Sequence, residues 1–295
     1  SESPMNPTEK RISSPTSVTE SPNGDAVKRI RTNDSIANAS AQNTNQNTII
    51  CSLSHNELKK DPEGKVNNID DVEFIDHGDW IQIKEVGLRK NYLKLWVIKC
   101  YGDKKPPTYP HNQSKITNGV LTYLACPTKE EYNQNKEVYN VLLKVYKNID
   151  NPEKLGEIIL KETRKVPILT IINWLIEYEI KDLEKIKITK ENNGQTFKQS
   201  LMCFASEKNN VEAIVALNTA DVDITNDPGA EIYDENGNIK GKYSTLAFVA
   251  RFNQVNAINA LKAIGVDITN DPGLRHYDEK GNIKERWSNC CCCKK

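Results

Sequence analysis

The side chains best suited to chemistry in this chain are its cysteines and histidines, and their spacing limits what they can do. Of eight Cys, four are scattered (Cys51, Cys100, Cys126, Cys203) and four are consecutive (Cys290 to Cys293). The four His are His55, His77, His111 and His276, and no two stand in an H-x-x-x-H pair that would hold a metal. A thiol activated by an imidazole is a competent nucleophile. Cys100 or Cys126 with His111 is therefore one pair to weigh, against the plainer reading of small apolar thiols in a core. Asp76-His-Gly-Asp79 has an acid–base composition but reads as a turn between strands. Asp234, Glu235, Asn236 and Asn238 offer oxygens around Gly237. A calcium loop, however, needs about twelve residues and a distal bidentate Glu, and none stands there. No catalytic residue, metal ligand or cofactor is assigned.

The Cys run permits three readings. Acylation of Cys290, Cys291, Cys292 and Cys293 beside Lys294 and Lys295 would tie the chain to a membrane, since two acyl chains hold stably. Soft-metal binding is disfavoured because consecutive thiolates are poorly spaced for one tetrahedral site. The bland reading is a tail without a role, or a frameshift product. The Cys do not form a spaced disulfide framework, which points to a reducing, cytoplasmic setting.

Lys and Arg balance Asp and Glu, 40 against 40, over 295 residues. A zero formal charge gives no global pull toward nucleic acid, and no nucleic-acid partner is expected. Phosphate-cradling glycine loops and basic helices interleaved with aromatics are missing from the sequence. No apolar run approaches the ~20 residues of a membrane span. Mean hydropathy is −0.63, low for a wholly folded chain. Residues 1–65 read as a polar tail, disordered because Ser, Thr, Asn, Pro and Gln bury too little area to offset ordering entropy. Lys10-Arg11 and Lys28-Arg-Ile-Arg31 within it are spaced like a two-part nuclear import signal, or simply keep the tail soluble. Residues 66–113 read as a small β-rich segment or cap. The alternations expected as strands are Val72 to Asp76, Trp80 to Lys84 and Tyr92 to Ile98.

From residue 114 the pattern turns helical. Val138 to Tyr146 is amphipathic, Asn151-Pro152 opens a helix, and Ile168 to Tyr178 and Lys181 to Ile188 read as another helical stretch. The last third then repeats itself. Asp223-Ile-Thr-Asn-Asp-Pro-Gly229 recurs as Asp267 to Gly273, and Tyr233-Asp-Glu-Asn-Gly-Asn-Ile-Lys240 as Tyr277 to Lys284, both at an offset of 44 (267 − 223 and 277 − 233). Within the period, Ser244 caps a short helix, and Val255, Ile258 and Leu261 recur along a second that Gly265 ends. Lys284 to Asn289 starts another copy, which gives way to the Cys run.

Ser244-Thr-Leu-Ala-Phe-Val-Ala250, followed by Val255 to Gly265-Val-Asp-Ile268, resembles an ankyrin repeat. Thr245, Leu246, Ala250, Gly265, Asp267 and Ile268 match that family's pattern, whereas its Pro is missing and Ala247 stands in place of its His. The resemblance spans residues 114–289 and is clear from about 196; 290–295 is the Cys-rich tail. It implies a mainly α fold: an ankyrin-type helical repeat solenoid with elongated β-hairpin fingers, preceded by the small β-rich segment and the disordered tail. It also implies a non-catalytic protein–protein interaction module, with fingers that touch the partner. Ile232, Tyr233, Asn238, Lys240, Tyr277 and Ile283 are then the candidate contacts, unless the tyrosines pack finger against finger. The Asn, Ile and Lys richness resembles ankyrin proteins of intracellular bacteria, which implies a secreted effector acting on host proteins. The alternative expectation is an ankyrin-targeted enzyme whose catalytic domain lies within 66–126.

Overall fold

Residues 65–89 form a four-stranded antiparallel meander: β3 (Lys65–Ile69), β4 (Val72–Asp76), β5 (Trp80–Ile83) and β6 (Val86–Arg89). Asp70 and Asp71 both take positive φ, 51° and 62°, as a two-residue hairpin with the strand twist demands. Ahead of it lies a short antiparallel pair, β1 (Thr48–Ile50) and β2 (Glu57–Lys59). Cys51 and Leu58 are buried against Trp80, so ordered strand begins inside the stretch expected as polar tail. The computed structural model describes residues 48–54, 57–59, 64–180, 182–192, 194–224, 227–278 and 280–287. The basic clusters near residues 10 and 28 and the Cys run at 290–293 lie outside the described residues.

Tyr92 to Ile98, expected as a strand, lies inside a helix, α1 (Lys90–Gly102). The reason is its position. Leu93 and Val97 pack into the meander's core, while Tyr92, Leu95 and Ile98 pack against later helices and Tyr178. A helix covered on two sides is apolar around most of its circumference and loses the amphipathic period that betrays surface helices. Five helices follow: α2 (Asn118–Tyr123), α3 (Lys129–Gln134), α4 (Lys136–Lys147), α5 (Pro152–Glu162) and α6 (Ile168–Glu177). Thr128 and Glu131 form a reciprocal capping box on α3, and Asn151 Oδ1 accepts from Lys154 N at the start of α5.

The remaining elements alternate hairpins with helix pairs: β7 (Lys187–Asn192), β8 (Gln195–Ser200), α7 (Leu201–Glu207), α8 (Val211–Thr219), β9 (Ala230–Tyr233), β10 (Ile239–Tyr243), α9 (Thr245–Arg251), α10 (Val255–Ala263), β11 (Leu274–Tyr277) and β12 (Ile283–Trp287). All six strands join one antiparallel sheet in chain order, β7 to β12. The main core runs from α4 through α10 and is built mostly from Ile, Leu, Val and Ala, with Met202 and Phe204.

The mainly α solenoid expected from the repeat is overturned by this architecture. Besides the β1–β2 pair, the described residues form antiparallel sheets of four and six strands with ten helices, which is not an ankyrin helical solenoid. Two features account for the difference. The hairpins hydrogen-bond to one another, β8 to β9 and β10 to β11, so they form a continuous sheet rather than separate fingers. In addition, Lys187 to Asn192, whose start was expected as helix, pairs with Gln195 to Ser200 as a third hairpin. Asn193-Gly194 is the hairpin signal in that stretch.

Candidate interaction face of the joined hairpins

The repeated Asp-Pro-Gly holds each helix pair to its hairpin. Gly229 O accepts from Ser200 N at 2.8 Å and Gly273 O from Ser244 N at 3.0 Å, so each unit's last turn closes on the start of its own first helix. Ser200 and Ser244 cap those helices, their Oγ atoms accepting from Cys203 N and Ala247 N at 3.0 Å. Asp227 Oδ2 accepts from Gly229 N and from the Thr245 hydroxyl, and Asp271 Oδ2 from Gly273 N and the Ser244 hydroxyl. Burial pushes the Asp227 carboxyl above its usual range despite those donors.

The hairpin tips repeat as faithfully. Asp234 Oδ1 accepts from the backbone N of Asn236 and Asn238, and Asp278 Oδ1 from those of Lys280 and Asn282. Each Asp folds its own turn, which gives the recurring Asp-Glu-x-Gly-Asn a structural role. These bonds, led by the one from the Asn238 or Asn282 backbone, hold both carboxyls below their ordinary range.

Strand register sorts the side chains onto two faces, because directly opposed residues share a face. Phe197, Ile232 and Gly241 are opposed across β8, β9 and β10, as are Gln199, Ala230 and Tyr243. That face meets the helices through Cys203 and Phe248. On the opposite face, Lys198, Glu231, Lys242, Arg275 and Arg286 form one row across five strands, β8 to β12. Beside it lie Thr196, Tyr233 and Ile239, with Tyr277 opposed to Ile283 further along. Every one of these is partly exposed or exposed. Lys242 Nζ meets Glu231 at 2.7 Å, Tyr233 donates its hydroxyl to the same carboxylate at 2.7 Å, and Lys198 Nζ sits 4.8 Å from the Tyr233 ring centre. Burial, then the hydrogen bond to Glu231 and that group's charge, pushes the Tyr233 hydroxyl up to about 12.

The six candidate contacts therefore separate. Ile232 is 8% exposed and belongs to the core face. Asn238 is spent on the turn, and Lys240 faces Asp234 at 3.4 Å. Tyr233, Tyr277 and Ile283 lie on the outer face, Ile283 being 40% exposed. The four cations of the row, Lys198, Lys242, Arg275 and Arg286, were missed by sequence reading. Single cations in separate strands carry no motif until the register aligns them.

The thiols of the alternative reading sit in packing. Cys100 and Cys126 are buried, and burial raises both, Cys126 to about 11. Burial and then the Lys84 charge lower His111, whose ring lies against Tyr109 at 5.7 Å. Among the described residues no hydrogen bond joins either thiol to that imidazole. A thiol raised in this way is held in its unreactive form. Asp76 to Asp79 is a turn, with Gly78 N donating to Asp76 Oδ1 at 2.8 Å. Burial draws the Asp76 carboxyl up, but bonds from Lys90, Tyr123 and Gly78 outweigh it and hold it below the usual range. Among the described residues no three His, Cys, Asp or Glu converge as metal ligands, and no helix is long and apolar enough to cross a membrane.

Comparison with protein-family models, curated proteins and solved structures returns no match to this chain.

Proposed function

We propose that this protein works as a non-catalytic protein-binding module, and that the outer face of the β8–β12 sheet is its contact surface. One observation carries the reading. Tandem hairpins whose tips and clasps are satisfied internally leave, on a single open face, two Tyr, two Ile and four cations in register. Tyr and Arg are the side chains that dominate protein interfaces, since each adds large contact area with a polar handle. A sheet with one face on a core and the other open is a rigid platform, so the partner pays little ordering cost on this side.

Site-specific photo-cross-linking tests the reading. A photoreactive residue replaces Tyr277 or Ile283 in one set of variants and the exposed Val66 of the first meander in a control. Discrete protein adducts from the sheet positions and none from position 66 are expected in lysate. Equal labelling from both places, or none from the sheet, would remove the sheet face as the binding surface.

A further inference from the structure

We infer that the partner presents an acidic polyproline-II segment, running across the strands with a carboxylate at every third residue. This rests on the sheet face being the binding surface, and it adds what that surface selects. The 44-residue period places like beside like: Tyr233 and Tyr277, Ile239 and Ile283, Lys242 and Arg286. Lys198, Lys242 and Arg286 lie in one row on every second strand, β8, β10 and β12. Two strand spacings are about 9.4–9.8 Å. A polyproline-II helix repeats every three residues, about 9.3 Å, and shows the same side to a surface at each repeat. A β-strand laid across the sheet does not fit, because its residues alternate sides with a period of two.

Charge and aromatic content agree with that occupant. The row holds Lys198, Lys242, Arg275 and Arg286 against Glu231 alone, and Glu231 is already met by Lys242 and Tyr233. A negative partner is complementary to the surplus. Tyr277, on β11 between the strands that carry Lys242 and Arg286, offers an aromatic wall against which proline rings dock. Single-stranded nucleic acid fits less well. One face of the Tyr233 ring is taken by Lys198 and its hydroxyl by Glu231, leaving little for a base to stack on.

Fluorescence anisotropy with the full chain tests the inference. The probes are a labelled 12-residue (Glu-Pro-Pro)4 peptide, a peptide of the same composition with its four Glu consecutive, and a 12-nucleotide oligo-dT. The spaced peptide is expected to bind at least about fivefold tighter than the clustered one. The double variant Arg275→Ser, Arg286→Ser is expected to weaken it about tenfold, as loss of two solvated charge contacts of up to about 1 kcal/mol each implies. Circular dichroism and a urea melt confirm that the variant is folded, and Lys136→Ser, remote in sequence and on α4, is a control that leaves binding unchanged. Equal affinity for the two peptides, tighter binding of oligo-dT, or no peptide binding would overturn the inference. Sheet-specific cross-links to a protein that lacks such a segment would do the same while leaving the binding face intact.

Discussion

Replacing Gly229 by alanine should be among the most damaging single changes in the repeat, and the structure says why. Gly229 has φ +64°, and an added Cβ would stand 2.0 Å from Tyr243 O, 2.8 Å from Thr245 N and 2.9 Å from Ser244 C. Its carbonyl accepts from Ser200 N and its N–H donates to Asp227, so neither side can back away without opening the clasp. The left-handed conformation costs an L-residue about 1–2 kcal/mol. Overpacking against backbone that cannot swing aside adds about 1–3 kcal/mol. The total, about 2–5 kcal/mol, corresponds to a fall in melting temperature of roughly 4–20 °C for a folded region of this size. Gly237, at the tip of β9–β10, separates the two costs. Its φ is +80°, yet nothing lies within 4 Å of the added Cβ. Gly237→Ala should therefore lose only the conformational part, about 1–2 kcal/mol. Urea denaturation of both variants measures the difference. Equal losses would refute the claim that close backbone approach is what keeps Asp-Pro-Gly in the repeat.

Other expectations follow from the same contacts. Gly156 in α5 faces the edge of β7, where a Cβ would meet Lys187 O at 1.9 Å. Gly156→Ala should be less stable by urea melt despite the ~1 kcal/mol that alanine gains in a helix, and a stabilised variant would show the junction to be loose. Burial raises the Asp227 carboxyl above the ordinary aspartate value, so the folded state holds that proton more tightly than the unfolded chain does. Its contribution to stability is therefore full below that value and lost as pH rises through the raised one. Asp227→Asn keeps an acceptor for Gly229 and Thr245, and it should flatten the fall of stability as pH rises above the ordinary carboxylate range; an unchanged profile would contradict the assignment. Cys126 and Cys203, buried with raised thiols, should resist iodoacetamide at pH 8 until the protein is unfolded, read by mass spectrometry. If the Cys290 to Cys293 run is acylated, hydroxylamine should release the chain from membranes, and unchanged association would end that idea.

Local signals in the sequence were read correctly where the chemistry is local. Ser244 caps its helix, Asn151 opens α5, and Gly265, at φ +102°, follows α10 as its left-handed stop. Such features need only a few neighbouring atoms, so residue type and spacing suffice. Tyr92 to Ile98 failed because its neighbours are distant. Packing between the meander and the helical half blurs the period that would have identified a helix, and alternation alone is ambiguous.

The 44-residue echo marks out two hairpins, each with a clasp and a tip, because Asp-Pro-Gly and Asp-x-x-Gly-Asn bond to their own backbone. Whether those hairpins stand apart or fuse was beyond its reach, since the bonds between β8 and β9 and between β10 and β11 join segments that the repeat itself treats as separate. Fusion into one sheet turned Ile232 inward, left Tyr277 and Ile283 outside, and aligned four cations lying 88 positions apart, from Lys198 to Arg286. Register is a long-range property, and a shift of one residue would send each of these side chains to the other face.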